Sequence, residues 1–315
     1  MRVPIKKISR LVVLLFVSLF VVSAMGCRDQ EGISAISPPQ QITRKQNIRI
    51  GLIPEQNLFY QKKRYEPLAA YISQQTGITI KLEILSEYGD IIDQFNTLGL
   101  DGAFFGSFTA VLAHKKLGVI PCARPVWVDG TSTYYGLIFV RKDSDIRNGA
   151  DMKGKRFAFV DKATTAGWLL PMYYFKIHGI DDYRSFFQET YFTGTHEGAI
   201  YDVLEKKADI GAAKNTVFYR LAATDHRITD ELTILATSPK VPSNGLCFKS
   251  ELDDSVRREI KKTLLTMNLD EKGHEVLKRF GAIRFIDSEE KDYSPVFEYA
   301  AQIGLDLKNF DYTDD

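Results

Sequence analysis

The clearest capacity for binding chemistry in the sequence belongs to two neighbouring threonines. Residues 157–160 form an apolar run typical of a strand, and Thr164 and Thr165 follow it in a turn that opens a helix. A threonine there can cap the helix, and the small pair Ala166-Gly167 lets a ligand reach the free N–H groups at the positive end of the helix dipole. The turn has the features of an anion-binding site, although an ordinary N-cap of a surface helix explains the same residues equally well.

A second turn with the same layout carries a histidine. His196 follows a β-type run over residues 190–193 and begins a helix, so it stands in the same place after its strand as the threonine pair does. The alternative is a histidine that only caps a helix at the surface. Glu197 beside it fits the first turn of that helix, where an acid favours the helix dipole.

Further candidates fall at helix starts, at the start of a long strand and in polar turns. Tyr88 and Tyr134 are candidate ligand contacts, although both can equally be packing aromatics among 15 tyrosines. Ser107 and Asn215 each follow a short apolar strand and precede a helix, which places them in corresponding turns. Lys214 could add positive charge to the same region, or it could be a solvated lysine at the rim.

Signatures of catalysis and of metal binding are absent from the sequence. It has no His-x-x-x-His pair, no Gly-x-Ser-x-Gly and no cysteine cluster. The histidines other than His196 are scattered along the chain at His114, His178, His226 and His274. We therefore expect no catalytic residue, no metal site and no cofactor.

Residues 1–26 predict export. A basic start is followed by an apolar run over residues 11–22 and by small residues before Cys27. The apolar run is short for a membrane-spanning helix, so we interpret the segment as a secretion signal. The chain would then act outside the cytoplasm, on the periplasmic side of the cell envelope.

The position of Cys27 resembles the lipobox of bacterial lipoproteins. This resemblance implies that Cys27 becomes the lipidated first residue of the mature chain, although Ala24 and Met25 are unusual in a lipobox. Cleavage without lipidation is the alternative. Residues 27–46 contain Gly, Ser, Pro and Gln without periodicity, and we interpret them as a flexible tether.

The charge of the mature chain argues against a nucleic-acid partner. Residues 1–26 contain four of the 41 Lys and Arg residues and none of the 40 Asp and Glu residues, so their removal leaves a formal charge of −3. No basic patch suggests nucleic-acid binding. Cys122 and Cys247 could pair in an oxidising compartment, or they could be two buried free thiols.

Strands and helices alternate along the chain from residue 47, which is typical of parallel sheets covered by helices. The pattern of residues 92–107 returns at 200–215: a helix, an aspartate, a short apolar strand and a polar turn. Two such units with facing strand ends would form a cleft, because ligands in open α/β sheets bind at the carboxyl ends of strands. Residues 134–142 and 232–238 are predicted to be strands that cross between the units.

Several segments together resemble the phosphate, phosphite and phosphonate substrate-binding proteins of ABC transporters. The resemblance rests on residues 133–144, 151–161, 163–167, Pro171 and 192–197. It implies a two-lobed α/β fold of the type II periplasmic-binding-protein kind, with two parallel sheets, a ligand cleft between the lobes and two crossing hinge strands. Lobe 1 would comprise residues 47–135 and 239–315, and lobe 2 residues 136–238.

The resemblance also implies roles for the candidate residues. Thr164 and Thr165, with backbone N–H groups, would hold the oxygens of the anion, and His196 would donate to it. Tyr88 and Tyr134 would line the opposite lobe. These roles predict a site that recognises its ligand through neutral donors.

Two departures from the family pattern bear on the ligand. Ala166 stands where a serine is usual, so one hydroxyl donor is missing from the threonine turn. Asn215 stands where relatives often have an aspartate, and an amide carries no charge to attract an amine. We therefore expect an inorganic or simple organic oxyanion without an ammonium group.

The sequence thus predicts the substrate-binding component of an ABC transporter, with a small oxyanion as ligand, a permease of the inner membrane as partner and a lipid anchor through Cys27. An alternative is a ligand-sensing lipoprotein that presents its closed form to a membrane receptor or kinase. A third hypothesis is an enzyme on the same two-lobed scaffold.

Overall fold

The computed structural model describes residues 47–54, 57–86 and 88–313. In this part of the chain, the strands form two β-sheets and a short two-stranded ribbon, and the helices pack on the sheets. The predicted signal peptide, Cys27 and the predicted tether over residues 27–46 lie outside the described residues. Among the helices that the structure describes, none combines the length and the apolar character needed to cross a bilayer.

The elements alternate between strand and helix for most of the chain. The strands are β1 (Asn47–Leu52), β2 (Thr79–Ile84), β3 (Gly102–Phe105), β4 (Ile120–Trp127), β5 (Thr133–Tyr134), β6 (Gly136–Arg141), β7 (Arg156–Phe159), β8 (Glu189–Phe192), β9 (Ile210–Lys214), β10 (Leu232–Thr237), β11 (Val241–Pro242), β12 (Gly245–Phe248) and β13 (Ala282–Asp287). The helices are α1 (Leu58–Thr76), α2 (Asp90–Asp93), α3 (Ser107–Leu117), α4 (Leu170–Ile177), α5 (Tyr183–Phe186), α6 (His196–Leu204), α7 (Asn215–Ala222), α8 (Arg227–Glu231), α9 (Asp254–Thr266), α10 (Glu271–Phe280) and α11 (Ser294–Gln302).

Both sheets are mixed rather than purely parallel. The first has the order β13-β4-β12-β3-β1-β2, in which β1 pairs in parallel with β2 and β3. The second has the order β10-β6-β9-β7-β8, in which β7 pairs in parallel with β8 and β9. The parallel pairing is therefore restricted to these two groups. Strands β12 and β6, which follow the connections between the sheets, run antiparallel to their neighbours.

The sequence pattern that residues 92–107 share with residues 200–215 corresponds to a hydrogen bond that occurs in both sheets. Asp101 precedes β3, and its carboxylate accepts a hydrogen bond from the backbone N–H of Arg49 at 3.1 Å. Asp209 precedes β9 and accepts from the backbone N–H of Arg156 at 2.9 Å. In both sheets this aspartate therefore ties the start of one parallel strand to a backbone amide of its neighbour.

The two connections between the sheets meet in the short ribbon. The predicted crossing strand over residues 134–142 is interrupted, because β5 ends at Tyr134 and β6 begins at Gly136. The second predicted crossing, 232–238, is mostly the edge strand β10, and the chain returns to the first sheet through β11. Tyr134 pairs with Val241 in the antiparallel β5–β11 ribbon. The two connections are thus held together where they pass from one sheet to the other.

Glycines end two helices where the sequence predicts that they do. Gly77 follows α1 with a φ of 69°, and Gly281 follows α10 with a φ of 84°. Both conformations lie in the left-handed region that glycine adopts without strain. In contrast, the helix predicted from about Tyr88 to Leu98 shortens to α2.

The two cysteines occupy different hydrophobic clusters. Cys122 belongs to a cluster with Val256 and Ile260 of α9, whereas Cys247 belongs to one that includes Val111 of α3. Both are free thiols, and burial raises the pKa of Cys122 to about 12. The pairing that the sequence left open is not made in this structure, and a buried thiol of raised pKa is a poor nucleophile at neutral pH.

The two aspartates allow a matched test of how much burial adds to the contribution that such a contact makes to the free energy of unfolding. The Asp101 carboxylate is fully buried and forms an ion pair with Lys249 at 2.7 Å, whereas the Asp209 side chain is 32% exposed beside Arg156. Asp101→Asn should lower the free energy of unfolding by about 3 kcal/mol, because it leaves an unmatched charge next to a buried site. Asp209→Asn should lower it by about 1 kcal/mol, because solvent screens that pair. Urea denaturation of both variants measures the difference, and equal losses would contradict this account.

Candidate functional site

The carboxyl ends of the parallel strands in the two sheets face each other. In the first sheet, Tyr88 follows β2 and Ser107 follows β3; in the second, Thr165 follows β7 and His196 follows β8. The rings of Tyr88 and His196 meet edge to face, with their centroids 6.1 Å apart. The backbone N–H of Phe108, the second residue of α3, donates to Thr165 Oγ1 at 2.8 Å. The structure therefore brings the predicted residues of both sheets into one buried region.

The threonine turn does not use the side-chain cap that the sequence predicts. Thr164 precedes a π-helical turn over Thr165–Leu169, and its side chain accepts no bond from that helix. Its Oγ1 donates instead to the carbonyl oxygen of Asp161 at 2.6 Å. The Asp161 carboxylate accepts from the N–H of Ala163 at 2.6 Å, so the turn is closed from its own start. The expected cap is wrong because this competing turn engages the hydroxyl of Thr164 and the contact with α3 engages that of Thr165.

The two small residues of the turn have packing roles. A Cβ atom on Gly167 would lie 2.3 Å from Cβ of Val160, so only glycine lets the helix lie this close to its strand. The methyl group of Ala166 is directed towards Gly136, where a Cβ atom added to that glycine would lie 3.5 Å from it. These contacts explain the small side chains through the packing of the turn on β6 and β7.

His196 is buried at the start of α6 with a defined tautomer. Thr195 caps the helix by accepting from the N–H of Gly198 at 2.9 Å. The backbone N–H of Lys214 donates to His196 Nδ1 at 3.3 Å. A ring nitrogen that accepts a hydrogen bond carries no proton, so this geometry assigns the proton to Nε2 and makes the ring neutral. His196 can then act as a neutral N–H donor within the cleft.

Lys214 is a buried cation rather than a solvated lysine at the rim. Its Nζ donates to Asn244 Oδ1 at 2.8 Å and lies 4.4 Å from the centre of the Tyr134 ring. The lysine and the tyrosine are each 3% exposed. The sequence carries one usable signal for this burial, because Lys214 ends a short strand, β9, whose other residues are all apolar.

Two of the predicted polar residues also hold the connections between the sheets. The Ser107 hydroxyl donates to the carbonyl oxygen of Pro242 in β11. Asn215 Oδ1 accepts from the backbone N–H of Tyr135 at 3.0 Å. Both side chains therefore tie a helix start to one of the connections that pass between the sheets.

Sequence reasoning missed the residues that join the two sheets across the cleft. Asp161 Oδ2 accepts from the backbone N–H of Tyr88 at 3.1 Å, and Thr109 Oγ1 donates to the carbonyl oxygen of Ala163 at 2.8 Å. Neither of these two bonds has a sequence signal, because each joins residues more than 50 positions apart. The Thr109 and Phe108 bonds seat the start of α3 on the threonine turn, and the Asp161 bond joins Tyr88 to the same turn.

A large open groove lies between α1 and helices α6 and α7. Its volume is about 870 Å³, and it reaches Glu197, the residue next to His196. The charged residues along its walls are Lys63, Arg64, Arg220, Arg279, Glu66 and Glu197. Basic residues outnumber acidic ones, which favours the approach of an anion. Among the residues that the structure describes, no three His, Cys, Asp or Glu side chains are grouped so that they could hold a metal ion.

Comparisons with known proteins identify the family of the chain. The family described as "ABC transporter, phosphonate, periplasmic substrate-binding protein" matches residues 50–293. The chain is 23% identical over 269 residues to the "Probable ABC transporter phosphite binding protein PhnD1" of Prochlorococcus marinus, which covers 81% of this chain and 89% of that protein. It is 24% identical over 292 residues to the "Phosphonates-binding periplasmic protein" of Escherichia coli, which covers 91% of this chain and 82% of that protein.

A solved structure of PhnD1 from Prochlorococcus marinus in complex with methylphosphonate has the same fold. It superposes with a TM-score of 0.73 at 22% sequence identity, over 82% of this chain and 98% of that one. The likeness confirms the predicted two-lobed α/β fold of the periplasmic-binding-protein kind.

The tautomer of His196 can be observed directly. We expect long-range ¹H–¹⁵N correlations of the folded chain at neutral pH to show His196 protonated on Nε2 alone, because the amide of Lys214 donates to Nδ1. The signal is assigned by its disappearance in His196→Gln, and the exposed His226 serves as the comparison within the same spectrum. A proton on Nδ1 would contradict the assignment.

Proposed function

The chain belongs to the family of periplasmic substrate-binding proteins of phosphonate ABC transporters, and on this basis we propose that its ligand is a small oxyanion of the phosphonate, phosphite or phosphate class that carries no ammonium group. Family membership makes the chain the substrate-binding component of such a transporter, exported and working with a permease in the membrane. The identity of the oxyanion and the residues that hold it are the proposal.

The observation that carries the proposal is the hydrogen bond between the start of α3 and the threonine turn. The N–H of Phe108 belongs to the first turn of α3 and donates to Thr165 Oγ1. An amide in this position also suits a charged oxygen, because the positive end of the helix dipole attracts anions. Bonds to a charged oxygen are shorter and stronger than those to a hydroxyl. A phosphorus oxyanion can therefore replace the hydroxyl as the acceptor.

We assign the ligand contacts as follows. Thr164 and Thr165 lie where the anion would meet the N–H groups of the first residues in the π-helical turn, including that of Ala166. His196 would donate through Nε2, and Tyr88 beside it would form an aromatic wall. The remaining contacts are Ser107, Tyr134 and Asn215, at the ends of β3, β5 and β9.

Charge at the site favours an anion without an amine. Lys214 holds its ammonium group against Tyr134, one of the proposed ligand contacts. A ligand ammonium brought to this place would meet a like charge at low dielectric, which is unfavourable. Asn215 adds no carboxylate to compensate. We therefore expect phosphate, phosphite or methylphosphonate to bind more tightly than 2-aminoethylphosphonate.

Binding would proceed by closure of two lobes, residues 47–135 plus 239–315 and residues 136–238. These boundaries keep the strands of each sheet within one lobe. The anion would contact residues of both lobes only in the closed arrangement, so its differential affinity would shift the population towards that form. The β5–β11 ribbon lies where the chain passes between the lobes and would be the hinge.

A ligand screen tests this proposal. The mature chain is heated with phosphate, phosphite, methylphosphonate, 2-aminoethylphosphonate, sulfate or arsenate. An oxyanion at a hundred times its Kd stabilises the native state by about 2.7 kcal/mol, which raises the melting temperature of a chain of this size by about 4–5 °C. Thr165→Val should weaken binding of the best oxyanion by about ten- to a hundredfold, because it removes a hydrogen bond to a charged group.

The control for that variant is Thr229→Val, at an exposed threonine of α8 outside the cleft. The affinity of Thr229→Val for the best oxyanion should equal that of the wild type. Stabilisation by 2-aminoethylphosphonate alone, or equal affinities in Thr165→Val and the wild type, would overturn the proposed ligand class or the proposed site respectively.

We also propose that Cys27 carries the lipid that anchors the mature chain. In cells, Cys27→Ser should move the mature chain from the membrane fraction to the soluble periplasmic fraction, because a diacylated cysteine provides the membrane attachment. Fractionation followed by mass spectrometry of the N-terminal peptide measures both the location and the modification. An unmodified Cys27 in the wild-type membrane fraction would contradict the anchor.

A further inference from the structure

The segment that follows α11 contacts both halves of the molecule beside the threonine turn. We call residues 305–313 the C-terminal strap. After Gly304 the chain turns at Asp306, whose carboxylate accepts from the N–H of Lys308 and from the side chain of Asn309. Phe310, Tyr312 and Thr313 then approach the cleft. Each of these three residues makes a side-chain or backbone contact outside the strap.

Tyr312 attaches the strap to the first half of the molecule. Its hydroxyl donates to Asp93 Oδ1 in α2, and its ring lies 5.0 Å from the Nζ of Lys116 in α3. The ring covers Gly89, where a Cβ atom would lie 2.8 Å from Cδ2 of the tyrosine. Burial, together with the bond to Asp93, raises the pKa of Tyr312, so its hydroxyl remains a donor at neutral pH. This end of the strap is held by a hydrogen bond and by close ring packing.

Phe310 and Thr313 attach the strap to the second half. The Phe310 ring lies 5.0 Å from the Trp168 ring and 5.7 Å from that of Phe108. Trp168 in turn stacks on Phe108, with ring centroids 6.2 Å apart and planes 14° apart. The Nζ of Lys162 donates to the carbonyl oxygen of Thr313. Lys162 and Trp168 bracket the threonine turn, so the strap touches this turn from both sides.

We propose that the C-terminal strap is a positioning element that holds the threonine turn against α3 and so sets how long the closed cleft retains its ligand. Its contacts join residues of both proposed lobes, and they can all exist together only when the lobes are closed. Contacts made only in one state stabilise that state. The proposal rests on the lobe closure of the proposed function, but it does not depend on which oxyanion binds.

Because the strap acts on the closed form, it should affect ligand release more than ligand capture. Binding begins when the anion enters the open cleft, and the strap docks afterwards. Removing an interaction that exists only in the closed state raises the dissociation rate and leaves the association rate nearly unchanged. A strap that only packs on the first lobe would change neither rate, although it could change the stability of that lobe.

The test compares three variants of the mature chain. Phe310→Ala removes the aromatic contact with Trp168 and Phe108, and a chain that ends at Lys308 removes the contacts of both ends. Lys308→Ala is the matched control, because its side chain is exposed within the same segment. Stopped-flow measurements with methylphosphonate and with inorganic phosphate give the two rate constants. The fluorescence of Trp168, recorded in a Trp127→Phe background, provides the signal.

We expect Phe310→Ala to raise the dissociation rate by about three- to tenfold, as for the removal of one or two aromatic pairs. The shortened chain should show a larger increase, and both association rates should stay within about twofold of the wild type. Lys308→Ala should match the wild type in both rates. Unchanged dissociation rates in Phe310→Ala and in the shortened chain would overturn the proposal.

Amide hydrogen exchange separates failure of this inference from failure of the proposed function. If the wild type binds neither probe and does not bind phosphite, the proposed ligand class is wrong, and exchange in the free protein decides the role of the strap. A strap that holds the threonine turn should protect residues 161–168, so these amides should exchange faster in Phe310→Ala and not in Lys308→Ala. Equal exchange in both variants would then overturn the proposed role of the C-terminal strap.

Discussion

A buried amide hydrogen bond joins the two sheets at the candidate site. Phe108 and Thr165 are almost completely buried, and the amide of the first donates to the hydroxyl of the second. A buried N–H group that has no acceptor costs about 1–3 kcal/mol, so the start of α3 needs an acceptor wherever solvent is excluded. The bond from Thr109 to the carbonyl oxygen of Ala163 fixes the same approach from the other side. The relative position of the sheets at the cleft follows from satisfying these groups, and an oxyanion can satisfy the same amide.

The other groups at the site follow from its burial. His196 accepts from an amide through Nδ1 and keeps its only proton on Nε2, so it offers a neutral donor. Lys214 brings the positive charge, and it is held by an amide oxygen and by the face of Tyr134. The proposed specificity for a compact anion rests on these uncharged donors together with the Lys214 cation.

The two sheets behind the site share one kind of contact, a hydrogen bond from a backbone amide to an aspartate. Asp101 and Asp209 each accept from a backbone amide of the neighbouring parallel strand, which aligns the strands within each sheet. Aligned parallel strands bring their carboxyl ends, and the turns that follow them, to one edge. The β5–β11 ribbon keeps the two connections between the sheets adjacent, which is why it is the hinge in the proposed closure.

The sequence by itself determined the alternation of strands and helices, the glycine ends of α1 and α10, and the turns that carry Thr165 and His196. These features depend on periodicity and on local turn chemistry, which neighbouring residues supply. Tertiary structure decided the rest. The hydroxyl of Thr165 was engaged by the amide of Phe108, and the antiparallel strands were added to each sheet by distant segments of the chain. Lys214 became buried for the same reason, since its environment comes from Tyr134 and Asn244, whose contacts arise only when the chain folds.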